Sequence, residues 1–152
     1  MKKFFIGLGI TFAVIVVALV VIITVAAVKG TALDKESMAY VDEVTPIILA
    51  DLNKETLFQY SSDQLKSSAP DEEMDKVFNW FKKLGKFEKY NGSKGQAKMS
   101  VTTGNGKQIS GYYEANADFS TGPATIKVTT VKIGNEWRIA GFNINSMALI
   151  NK

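Results

Sequence analysis

The 152-residue chain predicts an α+β domain behind a membrane anchor, with one N-terminal transmembrane helix, then about three helices, then a four-stranded antiparallel sheet. Three observations predict it. Phe4 to Val28 is an uncharged run of 25 residues. From Met38 to Leu84 the apolar residues recur at three- and four-residue spacing, and from Ala97 onward they alternate between turn signals. Helices first and hairpin-linked strands afterwards place the helices on one face of an antiparallel sheet.

A helix of 25 residues reaches about 37 Å, more than the hydrocarbon thickness of a bilayer, so residues 4–28 can span it with some tilt. Lys2 and Lys3 precede the run, and Asp34 and Glu36 follow soon after Lys29. This positive-inside bias puts residues 1–3 in the cytoplasm and the domain outside, in the periplasm of a two-membrane cell. The competing reading is a cleaved export signal, with Val25-Ala26-Ala27 or Gly30-Thr31-Ala32 at the cut, which would make the protein secreted. Signal cores are shorter, about 7 to 15 residues. Residues 29–33 form a short linker, 34–146 the domain and 147–152 a C-terminal tail.

The charge excess belongs to the membrane flank. Net charge is +3, and Lys2, Lys3 and Lys29 supply all of it, since the chain from Gly30 onward carries 15 Lys plus Arg against 15 Asp plus Glu. A nucleic-acid-binding domain shows a basic face, and no such clustering occurs here. With no Cys there is no disulfide and no thiol chemistry, and with no His the commonest general base and zinc ligand are gone. No cofactor is expected.

In the domain, Asp34 caps a first helix to about Asp51, with Met38, Val41, Val44, Ile48 and Leu52 on one stripe. Pro46 either kinks this helix or opens a fresh one capped by Thr45. A short helix follows near Glu55 to Tyr60, then the polar stretch Ser61 to Gln64. Pro70 opens a further helix, acidic at its start through Asp71, Glu72, Glu73 and Asp75, basic at its end through Lys82 and Lys83, and stopped by Gly85. Its stripe is Met74, Val77, Phe78, Phe81 and Leu84.

Lys86 to Gly95 reads as a Gly- and Lys-rich connection. The first strand is about Ala97 to Thr103, with Met99 and Val101 on one face, and Gly104-Asn105-Gly106 is a hairpin turn. Along Lys107 to Phe119 the odd-numbered positions from Ile109 share one face and Ser110, Tyr112, Glu114, Asn116 and Asp118 the other. Gly111 marks a bend or bulge. Ala124 to Ile133 and Glu136 to Ser146 complete a meander.

This order resembles the cystatin-like cone typified by nuclear transport factor 2, in which helices pack into a curved antiparallel sheet. Ile47 to Asn53 and Leu57 to Tyr60 look like the family's first-helix end and following short helix, and Phe81 to Lys86 like its third. Gly134-Asn135-Glu136-Trp137-Arg138-Ile139 to Ile144 is similar to the closing strand of small bacterial members of unknown function. The resemblance implies a pocket between helices and sheet. It also implies three kinds of role: a non-enzymatic binding domain, an isomerase- or dehydratase-like enzyme, or a structural subunit of an envelope or secretion assembly.

Tyr60, Trp80, Tyr113 and Trp137 are the candidates for a pocket or partner surface, against core packing as the alternative for both tryptophans. An enzyme on this fold would pair a Tyr with a carboxylic acid, as ketosteroid isomerase does. Glu114 and Asp118, however, lie on the strand phase opposite Tyr113. Asp71, Glu72, Glu73 and Asp75 are dense enough for a metal, but helix-start acidity explains them more simply. Lys82, Lys83, Lys86 and Lys89, near Phe87 and Tyr90, could meet anionic headgroups, though a solvated helix end explains them too. The partners implied are the bilayer through residues 4–28, an envelope protein, a small apolar ligand, or a second copy of the chain.

Overall fold

A computed structural model describes residues 32–104 and 106–150. Met1–Leu33 forms a separate unit of which only residues 32 and 33 are described, and the domain begins at Asp34. The predicted anchor with Lys2, Lys3 and Lys29, and Asn105 of the predicted turn, lie outside the described residues. Among those described, no helix is long and apolar enough to cross a membrane.

The first helix, α1, covers 32–51 and is unbroken through Pro46, so Thr45 is a helical residue and not a cap. Val41, Val44, Ile48 and Leu49 form its buried stripe. Leu52 ends it in the left-handed region, at φ 42. That conformation costs an L-residue about 1–2 kcal/mol, offset here because the Leu52 side chain is buried.

Asn53 caps α2 (Lys54–Tyr60) by accepting the Glu55 N–H at 2.8 Å. The Ser61 to Gln64 stretch, expected as polar chain, instead starts a further helix, α3 (Asp63–Ser68), because the Ser62 hydroxyl accepts the Leu65 N–H at 3.2 Å. Pro70 precedes α4 (Asp71–Phe81), whose acidic first turn matches the helix dipole. Lys54 ties α2 to α4 through Asp75 at 2.9 Å. A 3-10 turn, Lys82–Leu84, leads to Gly85 at φ 78, which stops the helical run as expected. Of the predicted stripe, Phe78, Phe81 and Leu84 are buried, Met74 is half-buried, and Val77 lies exposed at the margin.

Four strands follow in the consecutive antiparallel order β1-β2-β3-β4. They are β1 (Phe87–Thr102), β2 (Gly106–Phe119), β3 (Gly122–Ile133) and β4 (Glu136–Asn145). Expected as a connection, Lys86 to Gly95 is mostly strand. Ser93, Lys94 and Gly95 pair with Ala115, Glu114 and Tyr113, while bulges between Phe87 and Lys89 and between Tyr90 and Ser93 absorb the irregularity that the Gly-rich sequence signals.

On β2 the alternation is as read, with Gly111, Tyr113, Ala115, Ala117 and Phe119 buried. No register shift occurs at Gly111. A Cβ there would lie 2.5 Å from Thr130 Oγ1 and 2.6 Å from Ser37 Oγ, so close approach of α1 and β3, not a bulge, requires the glycine. Ser37 and Thr130 are themselves hydrogen-bonded at 3.0 Å.

Helix stripes and inner sheet face meet in one cluster that includes Ile48, Leu49, Leu84, Ile126, Ile139 and Ile144. The β4 edge is partly covered where Ser61 bridges Ile139 and the Ser62 N–H donates to the Ile139 carbonyl at 2.8 Å. The expected tail contains a last helix, α5 (Met147–Ile150), which buries Leu149 in the core.

Candidate functional site

The inner face carries two of the four sequence candidates as core residues. Tyr113 is buried, its hydroxyl donating to the Asp34 carbonyl at 3.4 Å. Trp137 is also buried, with Lys132 Nζ 5.5 Å from its ring centroid. That ammonium ion-pairs with Glu36 at 2.6 Å and holds the Glu36 carboxyl below its ordinary value. Tyr60 is half-buried and gives its carbonyl to the Tyr40 hydroxyl at 3.0 Å. Trp80 is 42 % exposed on α4, tilted against Phe81 at 5.9 Å. None of the three grooves described below gathers more than one of these four.

The tyrosines that touch polar groups do so as donors. Tyr90 donates to Asp42 Oδ1 at 2.7 Å, as does Ser93, also at 2.7 Å, which fastens the bulged part of β1 to α1. Burial, and then the bond to Asp42, push the Tyr90 phenol well above its ordinary value. Burial above all pushes Tyr40 up to about 12, and Tyr113 is raised chiefly by the same cause. Such phenols stay protonated at neutral pH, suited to holding structure and unsuited to accepting a proton. Glu114 is exposed and Asp118 half-exposed, on the outer sheet face as their strand phase implies.

A concavity suited to recognition lies elsewhere, at the end of the sheet where β2 turns into β3. Asn116, Thr125 and Asn145 stand opposite one another on β2, β3 and β4, all on the outward phase. Asn91 joins them from the β1 bulge, donating to Asp118 Oδ2 at 2.9 Å, and Thr125 donates to Asn116 Oδ1 at 3.3 Å. Beside this row α5 holds Met147 and Ile150 out in solvent, at 66 % and 70 % exposure. The groove so formed encloses about 420 Å³. Ser146 sets its wall, donating to the Pro123 carbonyl at 2.8 Å while accepting the Ala148 N–H at 3.3 Å.

Amide groups and the Asp118 carboxylate, flanked by apolar side chains, suit a polar ligand such as polypeptide backbone, which offers a donor and an acceptor at each residue. Among the described residues no group of three carboxylates gathers to hold a metal.

Two further grooves differ in kind. One of about 270 Å³ sits between α3 and β4, where its charges are already paired, Arg138 with Glu136 at 2.6 Å and Lys66 with Asp63 at 3.6 Å. The other, of about 320 Å³, is a shallow trough on the outer face beside Tyr112, Glu114 and Lys127.

Sequence reasoning missed the amide groove. Asn116 carries the outward phase in the β2 pattern, but the signal that would complete it, the apolar pair in Met147-Ala148-Leu149-Ile150, falls in the expected tail. No protein-family model matches the chain, and no curated protein is detectably similar to it.

Proposed function

We propose that this chain is a single-pass, membrane-tethered, extracytoplasmic binding domain of the cystatin-like cone type, non-enzymatic, which holds a protein partner in the amide groove. The observation that carries this reading is the groove itself, with Asn116, Thr125 and Asn145 in register across three strands beside two exposed apolar side chains. Its position supports a tethered role. Asp34, the first residue of the domain, meets β1 at Ala97, opposite Gly111, whereas Asn116 is five residues further along β2, about 17 Å away. The groove therefore sits toward the end of the sheet remote from Asp34, open to a partner. The hydroxyls of Tyr40, Tyr90 and Tyr113, already spent on bonds within the fold, and the outward carboxylates weigh against the isomerase-like alternative.

Crosslinking from within the groove tests this. A photoreactive residue in place of Asn116, in the full chain irradiated in its native membranes, should give an adduct with a second polypeptide, and the same probe at Lys66 on α3 should not. Monomer alone from both positions would refute the groove as a partner site.

A further inference from the structure

At the opposite end of the sheet the β1–β2 hairpin continues beyond the point where α1 begins. The Ala97 N–H donates to Asp34 Oδ1 at 2.6 Å, and β1 then runs on through Met99 and Val101. Both side chains share the phase of Ala97 and pair with Ile109 and Lys107. Yet Val101 is 76 % exposed and Met99 44 %. From Asn91 to Tyr113 the chain holds Lys94, Lys98 and Lys107 and no Asp or Glu. Among the described residues none of these lysines is in a salt bridge, and exposed apolar side chains beside such lysines are what an anionic lipid surface attracts, the lysines at the headgroups and the apolar groups at the acyl boundary.

Distance from Asp34 selects this patch over the other lysine-rich one. Residues 32 and 33 already belong to α1, so Asp34 lies in the first turn of that helix, two residues from where the described chain starts. Val101 is four residues past Ala97, about 13 Å along β1. Lys82, Lys83 and Lys86 lie before the far end of the same strand, which begins ten residues the other side of Ala97, roughly 30 Å away. Of the two lysine-rich runs, the hairpin is thus the nearer to Asp34 along β1.

Resting on the tethered reading, we infer that Lys98, Met99, Val101 and Lys107 form a docking tip for the anionic surface of the bilayer in which the chain is anchored. Docking there leaves the amide groove, at the opposite end of the sheet, turned away from the lipid.

The absence of cysteine makes the test clean. The full chain carrying Val101→Cys and an environment-sensitive fluorophore is reconstituted in vesicles of phosphatidylcholine alone or mixed with phosphatidylglycerol. Lys83→Cys serves as the control. The label at 101 should shift to the blue and be quenched by lipid-borne nitroxides in the anionic vesicles only, and the label at 83 in neither. Each lysine near an anionic surface changes the docked-to-free ratio about fivefold, so Lys98→Gln with Lys107→Gln should lower it roughly 25-fold. Protein that floats with the vesicles but shows no difference between the two lipids at position 101 overturns the docking tip and leaves the tether standing. Protein that does not float with either overturns both.

Discussion

Gly95→Ala should destabilise the domain by about 3 kcal/mol, the cost of overpacking where the neighbour cannot move aside. A Cβ at Gly95 would lie 2.0 Å from the Tyr112 carbonyl oxygen and 2.8 Å from Tyr113 Cα, so what must give way is the main chain of β2. Gly95 pairs directly with Tyr113, and retreat would part the hairpin in its middle. Urea unfolding of the full chain in mild detergent, followed through the buried Trp137, measures the effect. Gly104→Ala is the matched control, because a Cβ there meets nothing within 4 Å, and it should change stability by less than about 0.5 kcal/mol. A Gly95 variant as stable as the Gly104 variant would refute the close β1–β2 approach.

Asp42→Ala should cost about 2–3 kcal/mol, since it leaves both the Tyr90 and Ser93 hydroxyls without their shared acceptor. It should also change the response to alkali. The Tyr90 phenol is raised above its ordinary value of 10.0 in the fold, so its contribution to stability is complete below pH 10 and is lost as pH rises above that. Tyr40 behaves likewise, losing its contribution between pH 10 and about 12. Melting temperature measured against pH should therefore fall from pH 10 upward, and Asp42→Ala should lessen the part that Tyr90 contributes, because the bond favouring the neutral phenol is gone while its burial remains. Tyr90→Phe should flatten it too. An Asp42 variant that melts like the parent at pH 7 would show that α1 is not fastened to β1 through this carboxylate.

These two sites show where the sequence could and could not be read. Strand β2 was legible to the residue because its two faces meet opposite environments, and the Asp71 start and Gly85 stop of the last major helical run were legible because dipole and left-handed backbone select residue types locally. The N-terminal half of β1 was not. Its glycines and lysines have low strand propensity, and what makes it a strand is distant, namely its ladder with β2 and the Asp42 carboxylate on α1. Likewise Pro46 gives a strong local signal for a break, overridden by a stripe of Val41, Val44, Ile48 and Leu49 that packs only if α1 is continuous. Of the candidate residues, Tyr113 was placed on its face by alternation. The burial of Trp137 depends on α1 supplying Glu36 beside Lys132, a contact across 96 positions with no local trace. The amide groove draws on all four strands and α5, which no periodicity joins.

The central claim is that this domain stands outside the membrane, tethered by its N-terminal segment, with its amide groove free to meet a partner. Thiol labelling of the full chain tests it most directly. In spheroplasts treated with a membrane-impermeant maleimide, Asn116→Cys should label at once, whereas Lys3→Cys should label only after the membrane is permeabilised. Labelling of position 3 before lysis, with position 116 reached only afterwards, would contradict the claim.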